Sequence, residues 1–150
     1  MITTFYSFKG GVGRSFALLE TAAQLARRGR SVLVWDLDLE APGLQRVPAL
    51  RRLEHSVKGG TLDLLGHFQQ ADYDIAPAIT ALPGLIVDLE HEAVLSAGGK
   101  LSFLLPSVLD ADYAARFAGI DWKRLFAPEA GPGSAFFSAL AQQLTGALGY

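Results

Sequence analysis

Lys9-Gly10-Gly11-Val12-Gly13-Arg14-Ser15 decides how the rest of this 150-residue chain is read. Ahead of it stands Ile2-Thr3-Thr4-Phe5-Tyr6-Ser7-Phe8, rich in β-branched and aromatic residues and of a length for one strand. Behind it, Ala17, Leu18, Thr21, Ala22, Leu25 and Ala26 recur at three- and four-residue spacing, which predicts a helix from Ser15 to Arg28 with one apolar stripe. A strand, a glycine-dense turn and a helix form the setting in which such a turn holds phosphate. Gly10, Gly11 and Gly13 carry no Cβ to keep the backbone away from a polyanion. Their N–H groups, with the helix N-terminus behind them, make an anion cradle.

Downstream, Arg27-Arg28-Gly29-Arg30 closes the helix. Cations suit the last turn, and a glycine suits the left-handed cap. A DNA-contacting patch is the sharper alternative for the same three arginines. Ser31-Val32-Leu33-Val34-Trp35-Asp36 then reads as a strand buried on both faces. Together with the first strand and the helix it predicts a right-handed βαβ unit. It ends in Asp36-Leu37-Asp38, two carboxylates two residues apart. At the carboxyl end of a parallel strand they would arrive beside the glycine turn, on the same side of the chain.

These residues carry a resemblance. Lys9 to Ser15 resembles the deviant Walker A motif, K-G-G-x-G-K-[ST], of the ParA/MinD family of P-loop ATPases, and Asp36-Leu37-Asp38 with Pro42 following resembles that family's switch I. The resemblance implies a nucleotide site made by Lys9, Gly10, Gly11, Val12, Gly13, Arg14, Ser15 and Phe16. Lys9 would be the signature residue that reaches the nucleotide of the partner subunit in an ATP-dependent dimer. Arg14 stands where the family has its cis lysine; it keeps the charge but is a planar fork and not a compact ammonium. Ser15 would ligate Mg²⁺, Asp36 would support that site through water, and Asp38 would set the attacking water for in-line displacement at the γ-phosphate. Glu40 is a further carboxylate nearby.

The middle of the chain carries less chemistry. Leu44 to Leu53 reads as a short helix, and Thr61 as the cap of a helix over Leu62 to Gln70 with Leu62, Leu65 and Phe68 inward. Ala71 to Pro83, with two prolines, reads as a loop. Leu85 to Leu89 reads as a short edge strand, and Leu101 to Ser107 as a buried strand with a proline at its exit. Asp110 to Tyr113 starts a helix. Trp122 and Phe126 are expected in the core, and Ser134 caps a last helix that buries Phe136, Phe137, Leu140, Leu144 and Leu148. His55, His67 and His91 stand apart, without metal-ligand spacing, and read as surface or packing residues.

Composition limits the function classes. Half the residues are apolar (50%), enough for a core, and a net charge of −2 argues against whole-surface binding to nucleic acid. No cysteine is present, which excludes disulfides and thiolate metal sites. No signal peptide and no apolar run of membrane-spanning length is evident, so a cytoplasmic protein is expected. The family domain continues from its last helix here into a strand ending in the Walker B acid. The chain stops at Gly149-Tyr150, and Leu85 to Asp88 comes too early for that role. The expectation is therefore an α/β, P-loop NTPase-like domain in its N-terminal portion: a mainly parallel sheet of about four strands with helices on both faces. The expected function is that of a Mg²⁺-ATP-dependent, dimerising switch with slow hydrolysis. A non-catalytic nucleotide-binding module that regulates a partner or fused effector is the alternative.

Overall fold

The computed structural model describes residues 1–8, 11, 13–90, 98–129 and 131–150. Lys9, Gly10, Val12 and His91 lie outside the described residues. Helix α1 (Arg14–Arg27) leads into strand β1 (Ser31–Trp35); two 3₁₀ segments, Leu44–Arg46 and Pro48–Ser56, follow. Helices α2 (Thr61–Gln70) and α3 (Ala76–Ala81), a 3₁₀ turn (Leu82–Leu85) and strand β2 (Ile86–Asp88) come next. Strand β3 (Lys100–Leu104) and helices α4 (Tyr113–Ala118), α5 (Trp122–Leu125) and α6 (Gly133–Thr145) complete the described elements.

The described residues form a mixed α/β protein around a three-stranded sheet of order β1-β3-β2. β1 runs parallel to β3, with Val34 opposite Phe103, and β2 runs antiparallel to β3 with Val87 opposite the same residue. Strand alternation sorts the side chains into two layers. Val32, Val34, Leu101, Phe103 and Val87 join Ala22 and Ala26 of α1 and Leu50 and Leu53 of the longer 3₁₀ segment. Leu33, Trp35, Leu104 and Ile86 face the other way, onto Leu62, Leu65 and Phe68 of α2, Ala78 of α3, and Phe136, Leu140 and Leu144 of α6. Helices thus cover both faces, as expected.

Several expectations are corrected. Residues 1–8 form no strand: Ile2, Tyr6 and Phe8 are 69%, 71% and 93% exposed. Their composition suits a strand, but a strand exists only against a partner ladder, and the described residues supply none. The βαβ unit through α1 is therefore not formed, and the sheet has one parallel and one antiparallel pair. β1, read as buried on both faces, sits at the sheet edge, where only Val34 is fully buried. The centre belongs to β3, whose Leu101 to Leu104 are all buried.

Within Ala71 to Pro83 the structure has helix α3 and the start of a 3₁₀ turn, each with proline at its first or second position, where the missing N–H costs nothing. Thr61 lies inside α2 and does not cap it. Gly60 precedes the helix, its N–H donates to the Asp63 carboxylate (2.7 Å), and the Thr61 hydroxyl accepts from Trp35 Nε1 (2.8 Å). The N–H groups of Thr61 and Leu62 donate to Leu105 O and Pro106 O at 2.9 and 2.8 Å. That approach leaves no room for a Cβ at Gly60, which would stand 1.9 Å from Leu105 O. Ser134 lies inside α6, whose start has no side-chain cap. Phe126, expected in the core, is 56% exposed, stacking on Trp122 and Phe137 at ring distances of 6.4 and 6.2 Å.

Candidate functional site

The site lies where the start of α1 meets the end of β1. Gly11 and Gly13 have φ of 73° and 80°, the left-handed region that a side chain resists, and nothing lies within 4 Å of where either Cβ would stand. Gly13 is the N-cap of α1, and no side chain caps that end. Among the described residues, then, neither glycine position is crowded. Ser15, at the second position of α1, is half-buried, and Phe16 is 75% exposed.

Arg14 joins the two segments. Its Nη2 donates to Asp38 Oδ2 at 3.1 Å, and its Nη1 donates to Ser7 Oγ at 3.2 Å and to Ser7 O at 3.5 Å. Both members of the Arg14–Asp38 ion pair are partly exposed, which limits its contribution to stability. Asp38 Oδ1 also accepts from the N–H of Ala41 at 3.3 Å. Ser7 entered the sequence reading only as a strand residue; a serine two positions before the lysine gave no signal of this contact.

Asp36 is buried where Asp38 is not. One oxygen accepts the Asp38 N–H at 3.0 Å, while Oδ2 is buried without a partner. Burial pushes the Asp36 carboxyl above its ordinary range. The backbone N–H groups of Asp38 and Leu44 and the Arg14 charge oppose that shift, and the Asp38 charge adds to it. Oδ2 has no hydrogen-bond donor within bonding distance among the described residues, so it can accept from a water, and in that respect Asp36 fits the water-mediated support of Mg²⁺ that the resemblance implies. Among the described residues, no group of three or more His, Cys, Asp or Glu side chains is gathered as an all-protein metal cage. Mg²⁺ held mainly by water and phosphate needs none.

The segment carrying these acids is pinned along its length. Asp36 N donates to Leu104 O at 2.9 Å, extending the β1–β3 pairing by one residue. The Tyr113 hydroxyl of α4 donates to Leu39 O at 2.7 Å, and Gln45 Nε2 donates to Ser107 O at 2.9 Å. Ser107 is fully buried; its hydroxyl donates to Asp63 Oδ2 at 2.6 Å. Arg116 reaches the same turn, with Nη2 2.7 Å from Val108 O, and pairs with Asp110 at 3.0 Å. Burial and the negative charge of Asp36 push the Tyr113 phenol up to about 12. Glu40 is exposed. Tyr113 and Gln45 were missed from sequence because their partners are backbone carbonyls, which leave no motif.

Other features lie elsewhere. Arg27 ends α1 and Gly29 has φ of 80°, as the capping reading requires. A cleft of about 620 Å³ is lined by Asp72, Tyr73, Arg124, Pro128 and Pro132, none of which belongs to the site. No helix among the described residues is long and apolar enough to cross a membrane. No protein-family model, no curated protein and no solved structure matches the chain.

Proposed function

We propose that the chain binds Mg²⁺-ATP at the turn before α1 and acts as a nucleotide-dependent, dimerising switch of the ParA/MinD kind, on a P-loop NTPase-type framework. The observation that carries the reading is the 3.1 Å contact between Arg14 and Asp38, which brings the glycine-rich turn and the D-x-D segment together. Backbone N–H groups from Gly10 to Phe16 bind phosphate oxygens, and Arg14 adds its charge to the β/γ end. The Ser15 hydroxyl and, through water, Asp36 would hold Mg²⁺, which when bound neutralises charge between the phosphates. Asp38 orients the attacking water, and Lys9 reaches the nucleotide of a second copy.

A second reading keeps the nucleotide and drops the chemistry: a binding module that regulates a partner or fused effector. The observation in its favour is the same ion pair, because an Asp38 held by Arg14 is not available to orient water. Calorimetry with Mg²⁺-ATP tests the first claim: the wild-type chain binds, and Arg14→Ala binds much more weakly. Folded chain without binding overturns both readings. Turnover that Asp38→Ala abolishes selects the switch, and binding without turnover selects the module.

A further inference from the structure

Both Nη nitrogens of the Arg14 guanidinium hold protein acceptors in this structure: Nη2 is on Asp38 and Nη1 is on Ser7. An anion that approaches the Nη2 end therefore meets the Asp38 carboxylate both as a competing acceptor and as a like charge. The pair is only half-exposed, so its attraction is weakened but not removed by solvent.

We propose that Arg14 is a two-position group: it rests on Asp38, pivots on Ser7, and exchanges from the carboxylate onto the ligand's phosphate. This rests on the reading of the turn as a phosphate site. The Ser7 carbonyl and hydroxyl hold Nη1 in place while Nη2 changes partner. Once released, the Asp38 carboxylate keeps its Ala41 N–H contact at 3.3 Å among the described residues. The rest of its segment stays fixed, because Tyr113 holds Leu39 and Ser107 holds Gln45. The exchange therefore moves the guanidinium and frees one carboxylate, without moving the whole loop. An arginine suits this task better than a lysine, because its fork can keep one partner while trading the other.

A double-mutant cycle with metal-free inorganic tripolyphosphate as the probe tests the exchange. Affinities are measured by calorimetry for wild type, Asp38→Asn, Arg14→Ala and the double variant, with folding checked by circular dichroism. Loss of the resting contact should tighten tripolyphosphate about two- to fivefold in Asp38→Asn. In the Arg14→Ala background the same change should have a smaller effect, because there is no pair left to break. Equal effects in both backgrounds would mean plain charge repulsion by Asp38 and would overturn the exchange, as would weaker binding by Asp38→Asn. If neither wild type nor Asp38→Asn binds the probe, the phosphate site itself is rejected and the exchange with it. Wild-type binding without coupling rejects the exchange alone.

Discussion

On one face of the sheet, α2, α3 and α6 bury Phe68, Phe136, Leu140 and Leu144 against Leu104. On the other, one long helix and the 3₁₀ segments cover β1 and β3, and beside them residues 1–8 leave Ile2, Tyr6 and Phe8 exposed. The first region, the helix-packed face, has the aromatic layer of Phe68 and Phe136. The second also has an apolar core, in which Val34, Leu101 and Phe103 meet Ala22, Ala26, Leu50 and Leu53, and the site lies at its exposed edge, where hydrogen bonds and the half-exposed Arg14–Asp38 pair join the segments. A change at that edge should therefore be felt differently from a change in the packed layer.

The largest effect should come from the packed face. Phe136 is fully buried, with its ring 4.8 Å from that of Phe68. Phe136→Ala should lower unfolding free energy in a denaturant titration by about 3–5 kcal/mol. Arg14→Ala should stay within about 1 kcal/mol of wild type in the same titration. Equal losses in the two variants would erase the division.

Ser107 stands between the regions. Ser107→Ala leaves the Asp63 carboxylate with one donor fewer in a buried turn, and should cost about 1–3 kcal/mol. The companion effect is on the acid-bearing segment: amide exchange at residues 36–45 should quicken, because Gln45 is anchored on the same turn. Unchanged exchange there would show that the segment does not depend on this turn.

Tyr113 probes the same segment by titration. Its phenol is pushed up from 10.0 to about 12, so the folded chain favours the neutral form. Stability that Tyr113 contributes is complete below pH 10 and is lost as pH rises toward 12. Phenolate absorbance should show a tyrosine titrating near the upper value, and Tyr113→Phe should remove it together with part of the alkaline loss of stability. The smallest effect is expected at Phe8, 93% exposed: Phe8→Ser should change stability by no more than about 0.5 kcal/mol. A larger loss would mean that residues 1–8 pack against a partner in solution.

How much of this was legible beforehand follows the physics of each signal. Helix α1 and helix α6 have long apolar stripes, β1 has an unbroken apolar run from Val32 to Trp35, and β3 has Leu101, Phe103 and Leu104 around Ser102, so their existence was readable. Which strand is central was not, because a run such as Ser31 to Trp35 is equally apolar at an edge. Residues 1–8 were misread because β-propensity records what a pleated surface would accept, not whether a partner is present. Pro77 and Pro83 were taken as breakers where they open helical turns. The site was legible in its charged residues, Arg14, Asp36 and Asp38. The contacts from Ser7, Tyr113 and Gln45 were not, since a hydrogen bond between distant segments has no sequence period.

The central claim is that the turn before α1 and the acids after β1 form one phosphate site. The most direct measurement is an NMR titration of the isotope-labelled chain with Mg²⁺-ATP, following every assigned backbone amide. The account expects the largest shifts at residues 9–16 and 36–38, with α6 and the Phe68–Phe136 layer nearly still. Shifts centred on the cleft at Tyr73 and Arg124, or none at all from a folded chain, would contradict it.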